Sequence, residues 1–206
     1  MIHGYHVILT TYGFWLPNDP RGSWCDFVGR WELVRYGKAR RTMARKSLAD
    51  LTPVELGQRE AAQRALLYPA VSLTNEQIVS VADGFADAAK KSNYSIWACA
   101  IVPEHIHLVI ARHSYKVEQI ATLLKGAATR KIVENQLHPM KHLQPNGRLP
   151  SIWAGRSWKV FLDSEVAIEN AIHYVESNPI EDGKPRQNWP FVTPFRGIEK
   201  DWVTYH

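Results

Sequence analysis

Hydrophobic and polar positions along the chain switch between a period of two and a period near 3.6, and the switches mark the elements. Tyr5 to Tyr12 (YHVILTTY) is dense in β-branched and aromatic residues, and Gly13 and the run Pro17-Asn18-Asp19-Pro20-Arg21-Gly22 then interrupt regular structure. One strand followed by a long loop is predicted. Thr52-Pro53-Val54-Glu55 joins a capping box to a proline at the first helical position, so a helix begins there and runs to about Tyr68. Thr74 and Gln77 repeat the capping signal, and Ile78, Ala82, Phe85, Ala86 and Ala89 recur at helical spacing, which predicts an amphipathic helix over 75–92.

From Tyr94 to Ala111 the pattern is that of two strands joined by a tight turn at Pro103-Glu104, since proline there interrupts a helix or a central ladder. A helix from about Lys116 to Gln136 follows, with Val117, Ile120, Ala121, Leu124 and Ala128 on its buried face. Gly126 inside it is unfavourable for a helix, and close packing is the expected reason. Residues 139–150 read as loop and Trp158 to Leu162 (WKVFL) as a strand. Asp163 or Ser164 caps a last helix, expected to end at Asn178 because Pro179 disfavours helical geometry in the residue before it. Irregular structure is expected beyond.

The order β, α, α, β, β, α, β, α predicts an α/β sandwich, a mostly antiparallel central sheet with helices packed on it. At 206 residues, 45% hydrophobic and 22% charged, the chain reads as a single domain over 1–206. An insertion at about 13–70, carrying its own helix, and an irregular tail at about 179–206 are expected. No run reaches the ~18 apolar residues that cross a membrane, and the first residues lack a signal-peptide layout. A cytoplasmic location, with no membrane partner, is the expectation. Cys25 and Cys99 lie too far apart in sequence to suggest a disulfide framework or a zinc site.

The formal charge of +5 is unevenly spread. Arg35, Lys38, Arg40, Arg41, Arg45 and Lys46 crowd into RYGKARRTMARK with no acid among them. Such a segment fits phosphate contacts, and equally a solvated basic loop.

Side chains alternate along a strand, so His105, His107 and Val109 share one face. Two imidazoles so fixed can clamp a metal ion, although two histidines on a half-exposed strand is the commoner meaning of that pattern. On the last helix Ala167, Ala171, Tyr174 and Asn178 form one stripe, beside an apolar stripe of Ile168, Ala171, Ile172 and Val175 that should face the sheet. Tyr174 then sits at the core's edge with its hydroxyl toward the histidines, and Asn178, one turn on, can reach out from the helix end. A packed aromatic is the ordinary role for any one tyrosine. His3, His6, His113, His138, His142, His173 and His206 read as structural or surface residues.

Several blocks of residues bear a family resemblance. Val102-Pro103-Glu104-His105-Ile106-His107-Leu108-Val109-Ile110 resembles the hallmark of the single-tyrosine HUH transposases of insertion sequences, in which a hydrophobic residue separates two metal-binding histidines. Leu124-Lys125-Gly126, Trp153 through Phe161, and Tyr174-Val175-Glu176-Ser177-Asn178-Pro179 are similar, in the same order, to blocks of the REP-associated tyrosine transposase branch. Thr11 through Gly22 is similar to the start of a large subgroup. The resemblance covers about 94–195 and implies the ferredoxin-like or RRM-like HUH nuclease fold. It implies Tyr174 as nucleophile and His105, His107 and Asn178 as metal ligands; these neutral donors fit Mg2+ or Mn2+ better than a structural zinc, and Lys125 with the basic segment, the latter from its charge, are the expected DNA contacts. The implied partner is single-stranded DNA bearing a hairpin or palindrome, and the implied assembly a monomer or homodimer. The implied activity is DNA cleavage and strand transfer through a 5′-phosphotyrosine.

Two departures stand out. Ile180-Glu181-Asp182-Gly183 places acids where the family commonly has a basic residue and an alanine, and the 13–70 region is longer than in minimal members. Three other readings compete: a domesticated protein that binds hairpin DNA without cutting it, a replication or conjugation initiator with the same nucleophile chemistry, and a His-x-His phosphoesterase that needs no tyrosine.

Overall fold

In the computed structural model, residues 1–14, 16, 51–155, 157–181 and 183–198 are described. The basic run from Arg35 to Lys46 and Cys25 lie outside them. The observed order is β1 (Gly4–Thr10), α1 (Pro53–Arg64), α2 (Asn75–Ser92), β2 (Ile96–Ile101), β3 (His105–Ala111), α3 (Val117–Glu134), β4 (Trp158–Leu162) and α4 (Glu165–Glu181), which is the predicted succession. The strands form one antiparallel sheet in the order β2-β3-β1-β4, with helices packed on it. The expected α/β sandwich is therefore what the chain forms. No helix among the described residues is long and apolar enough to cross a membrane.

The chain falls into two compact units. The first comprises Met1–Leu9, Leu73–His138 and Lys159–His206, and the second Thr10–Ser72 and Pro139–Trp158. In the first, β2 and β3 form the predicted hairpin, with Ile101 opposite Ile106 and Ala100 opposite His107. The Val102 amide donates to the His105 carbonyl at 3.0 Å to close the turn. Helix α2 starts where the Thr74/Gln77 capping box is complete and ends at Asn93, whose left-handed φ of 55° suits asparagine. It packs along α3, tied by an Asn135–Ser80 hydrogen bond of 2.9 Å and a Lys131–Asp87 ion pair of 3.2 Å. Helix α4 lies over β2 and β3, where Ile168, Ala171 and Val175 are buried with Ala98, Ala100 and Val109. That is the apolar stripe the sequence assigned to the sheet. Cys99 is buried as a free thiol, and burial pushes its pKa up.

Residues 187–193 run along edge strand β2. The Gln187 carboxamide accepts from the Ile101 amide and donates to the Ile101 carbonyl, both at 2.7 Å, and the Thr193 amide donates to the Ile96 carbonyl at 2.8 Å. These contacts occupy backbone groups that an edge strand otherwise offers to another chain.

Within the second unit, the Thr52/Glu55 capping box and Pro53 start α1 as predicted, but the helix stops at Arg64 rather than near Tyr68. Thr11 bridges Trp153, and the Thr11 hydroxyl donates to the Val71 carbonyl at 2.6 Å. Gly13 has a φ of +80°, and a Cβ there would stand 2.8 Å from Leu66 Cδ1.

Two expectations are corrected. Helix α4 does not end at Asn178; it continues through Pro179 to Glu181. The stop is Gly183, whose φ of +70° lets its amide donate to Ile180 and the Lys184 amide donate to Pro179, at 2.9 and 2.8 Å. That pattern is a Schellman motif. Nor does Gly126 serve close packing, for a Cβ there would meet only Arg130 Nη1 at 3.6 Å. The close approach of α2 to α3 lies at Gly84, where a Cβ would fall 2.6 Å from Ala128 Cα.

The two glycines therefore predict opposite outcomes in denaturant. Gly84→Ala forces backbone apart and should lower the unfolding free energy by about 1–3 kcal/mol. Gly126→Ala should raise it by about 0.5–1 kcal/mol. A Gly84→Ala variant as stable as wild type would show that the α2–α3 contact yields without strain.

Candidate active site

Strand β3 places its chemistry by alternation. Ile106, Leu108 and Ile110 are fully buried on one face, and His107 is 4% exposed on the other beside buried Val109, with His105 half-buried two residues before it. The rings of His105 and His107 are 4.9 Å apart and nearly perpendicular. This is the face that α4 covers, and Tyr174, half-buried next to the anchoring Val175, packs its ring edge-on against His107 with centroids 5.4 Å apart. The sequence reading of three residues converging from strand and helix is thus matched in space for His105, His107 and Tyr174.

Asn178 sits one helical turn beyond Tyr174, but its surroundings differ from expectation. Because α4 continues past it, the side chain is buried, 6% exposed, rather than reaching out from a helix end. Its Oδ1 makes no hydrogen bond. A buried carboxamide oxygen without a donor costs about 1–3 kcal/mol, so its persistence calls for a cation or an external donor. Among the described residues no three His, Cys, Asp or Glu side chains gather as a ready metal cluster. A ligand set here would consist of two imidazoles and this carboxamide, which are donors suited to a divalent ion. The residues present fit such an ion.

A third histidine, His6, whose position in the sequence suggests only a structural or surface role, lies against His107 and Tyr174. Strand order puts β1 beside β3, and His6 Nε2 lies 3.0 Å from His107 Nδ1, with the rings 5.2 Å apart. His6 also meets Tyr174 edge-on at 5.7 Å. Burial pulls the His6 pKa down to about 4, so the ring is neutral at physiological pH. Nothing local marks this histidine, since its neighbour on β3 lies 101 residues away. Lys125, the other residue expected to contact DNA, is half-buried on α3, and burial lowers its ammonium to about 8.

The family model for IS200-like transposases matches residues 69–178, which carry β2, β3, α3 and His105, His107, Tyr174 and Asn178. The chain belongs to the IS200-like transposase family. DNA binding and DNA transposition are accordingly its work. No curated protein matches the sequence. A REP-associated tyrosine transposase bound to a REP hairpin is similar in structure at 13% identity and a TM-score of 0.47, covering 92% of this chain and 74% of that one. A protein described as a transposase from Deinococcus radiodurans R1 is 14% identical with a TM-score of 0.38, covering 89% of this chain and 92% of its own.

The depressed His6 pKa sets a direction for stability. The unfolded chain takes up a proton below about 6.5 while the folded chain does not, so the His6 contribution is fully present above that pH. It is lost as pH falls toward 4. Metal-free wild type should lose roughly 3 kcal/mol more across that window than His6→Gln, which has no proton to take up. Parallel pH profiles for the two proteins in urea would disprove the shift.

Proposed function

We propose that this transposase cuts and joins single-stranded DNA with Tyr174 as its nucleophile, in the cytoplasm, on a strand carrying a hairpin or palindrome. The observation that carries this reading is the packing of the Tyr174 ring on His107, one turn from the unbonded Oδ1 of Asn178, within a family of transposases. His105, His107 and Asn178 would hold Mg2+ or Mn2+. Such an ion supplies positive charge for the scissile phosphate and the departing 3′ oxygen. The site lies in the first compact unit.

A phenol with a pKa near 10 is a weak nucleophile at neutral pH, so orientation matters. Packing against His6 and His107 limits the Tyr174 ring to a narrow range of positions. Its oxygen attacks phosphorus and gives its proton to water. The bond from phosphorus to the 3′ oxygen breaks, and that oxygen takes a proton from water. The products are a 5′-phosphotyrosine and a free 3′ hydroxyl. A 3′ hydroxyl from another strand can later attack the same phosphorus and expel Tyr174, so joining needs no nucleotide cofactor.

Arg35, Lys38, Arg40, Arg41, Arg45, Lys46 and Lys125 supply phosphate contacts in this reading. Replacing Arg40 and Arg41 together by alanine should weaken binding of every sequence alike and reduce the salt slope by about 1–2. An unchanged slope would remove the segment from the interface.

The decisive experiment labels an oligonucleotide on the 3′ side of the cut. With Mg2+ or Mn2+, the label should migrate with the denatured protein. Tyr174→Phe removes only the hydroxyl and should bind hairpin DNA normally while trapping no label, and His105→Ala should melt like wild type yet fail to cleave. An adduct that persists in Tyr174→Phe defeats the assignment. Hairpin binding with no adduct from wild type supports the domesticated, non-cleaving protein instead.

A further inference from the structure

We propose that His6 is a positioning residue, whose Nε2 accepts a hydrogen bond from His107 Nδ1–H and so leaves His107 Nε2 as the atom presented to a metal ion. The inference rests on the metal reading above, and its ground is the 3.0 Å contact between His6 Nε2 and His107 Nδ1. A neutral imidazole carries one N–H. With that proton on Nδ1, Nε2 of His107 carries the lone pair, the form in which an imidazole can bind a cation. With the roles reversed, His6 would donate, the His107 proton would sit on Nε2, and the ligand atom would be blocked. The direction of this hydrogen bond therefore decides between a ligand-ready and a ligand-blocked tautomer, and the metal reading requires the first.

Metal-bound histidines ordinarily donate their second nitrogen to a carboxylate, a backbone carbonyl or water. An imidazole acceptor performs the same orienting task without adding negative charge beside a phosphate. His6 is well held for it. Its backbone is fixed in β1 next to β3, and its ring is lodged between His107 at 5.2 Å and Tyr174 at 5.7 Å. It is not itself offered as a ligand, since its Nε2 is engaged by His107 and no three His, Cys, Asp or Glu among the described residues form a metal group.

Three proteins separate hydrogen bonding from packing. His6→Phe keeps a flat ring against Tyr174 and removes the acceptor; His6→Gln places an acceptor oxygen close to the lost Nε2. Mn2+ is titrated by calorimetry into the full-length chain without DNA, so the readout is independent of cleavage. His6→Phe should bind Mn2+ about 10–100-fold more weakly than wild type, and His6→Gln should recover to within about threefold. Long-range 1H–15N spectra of the wild-type protein with Mg2+ should show the His107 proton on Nδ1, and this measurement stands even if His6→Phe fails to fold. Equal Mn2+ affinity in folded His6→Phe and wild type, or a His107 proton on Nε2, overturns the role given to His6 while the metal reading survives. A wild-type protein that binds no Mn2+ overturns both.

Discussion

The register of β3 is the constraint on which the site depends. This strand is buried on both faces, so its alternation decides which side chains meet α4 and which lie opposite. A slip of one residue would carry Ile106, Leu108 and Ile110 to the histidine face and bury two imidazoles among apolar neighbours. Burial of each of those three side chains contributes about 1.5–3 kcal/mol. A single hydrogen bond among neutral groups contributes about 1 kcal/mol. Apolar residues that take no part in the chemistry therefore hold His105 and His107 in place, and the polar contacts only refine their orientation.

Helix α4 brings the second half of the site by the same means. Ile168, Ala171 and Val175 seat it on β2 and β3, and helical geometry then dictates where Tyr174 and Asn178 stand. Tyr174 on a helix and a histidine pair on a strand are both carried by regular elements, which fix positions more tightly than loops do. Gly183, by ending the helix after Glu181 instead of letting Pro179 end it, keeps Asn178 inside regular structure and its carboxamide buried.

Much of this was legible because its causes are local. The Thr52/Glu55 and Thr74/Gln77 capping boxes define helix starts within four residues of sequence, and the alternation around His105 and His107 predicts a shared face. What sequence left dark has distant causes. Gly126 breaks a helical pattern visibly, yet the glycine that matters is Gly84, because the requirement comes from Ala128 on another helix. Pro179 is a strong local stop signal, yet the helix runs through it at the cost of one backbone hydrogen bond, and the left-handed Gly183 with its two hydrogen bonds sets the real end. His6 is one polar residue in an apolar strand, and only the placement of β1 between β3 and β4 gives it a neighbour.

The features that local rules disfavour fall close together on the residues of the site. A neutral histidine is buried against another, a carboxamide oxygen is buried with no donor, and a proline interrupts the hydrogen-bond ladder of the helix that bears the tyrosine. Each lowers stability, and the apolar cluster beneath α4 offsets them. Proteins retain such conflicts where chemistry requires them and relax them elsewhere. The capping boxes of α1 and α2 agree with local preference; His6, Pro179 and Asn178 do not. Because the hydrogen bond of His6, the ring of Tyr174 and the oxygen of Asn178 are joined through one strand pair and one helix, these conflicts reside in the same elements that carry the candidate site.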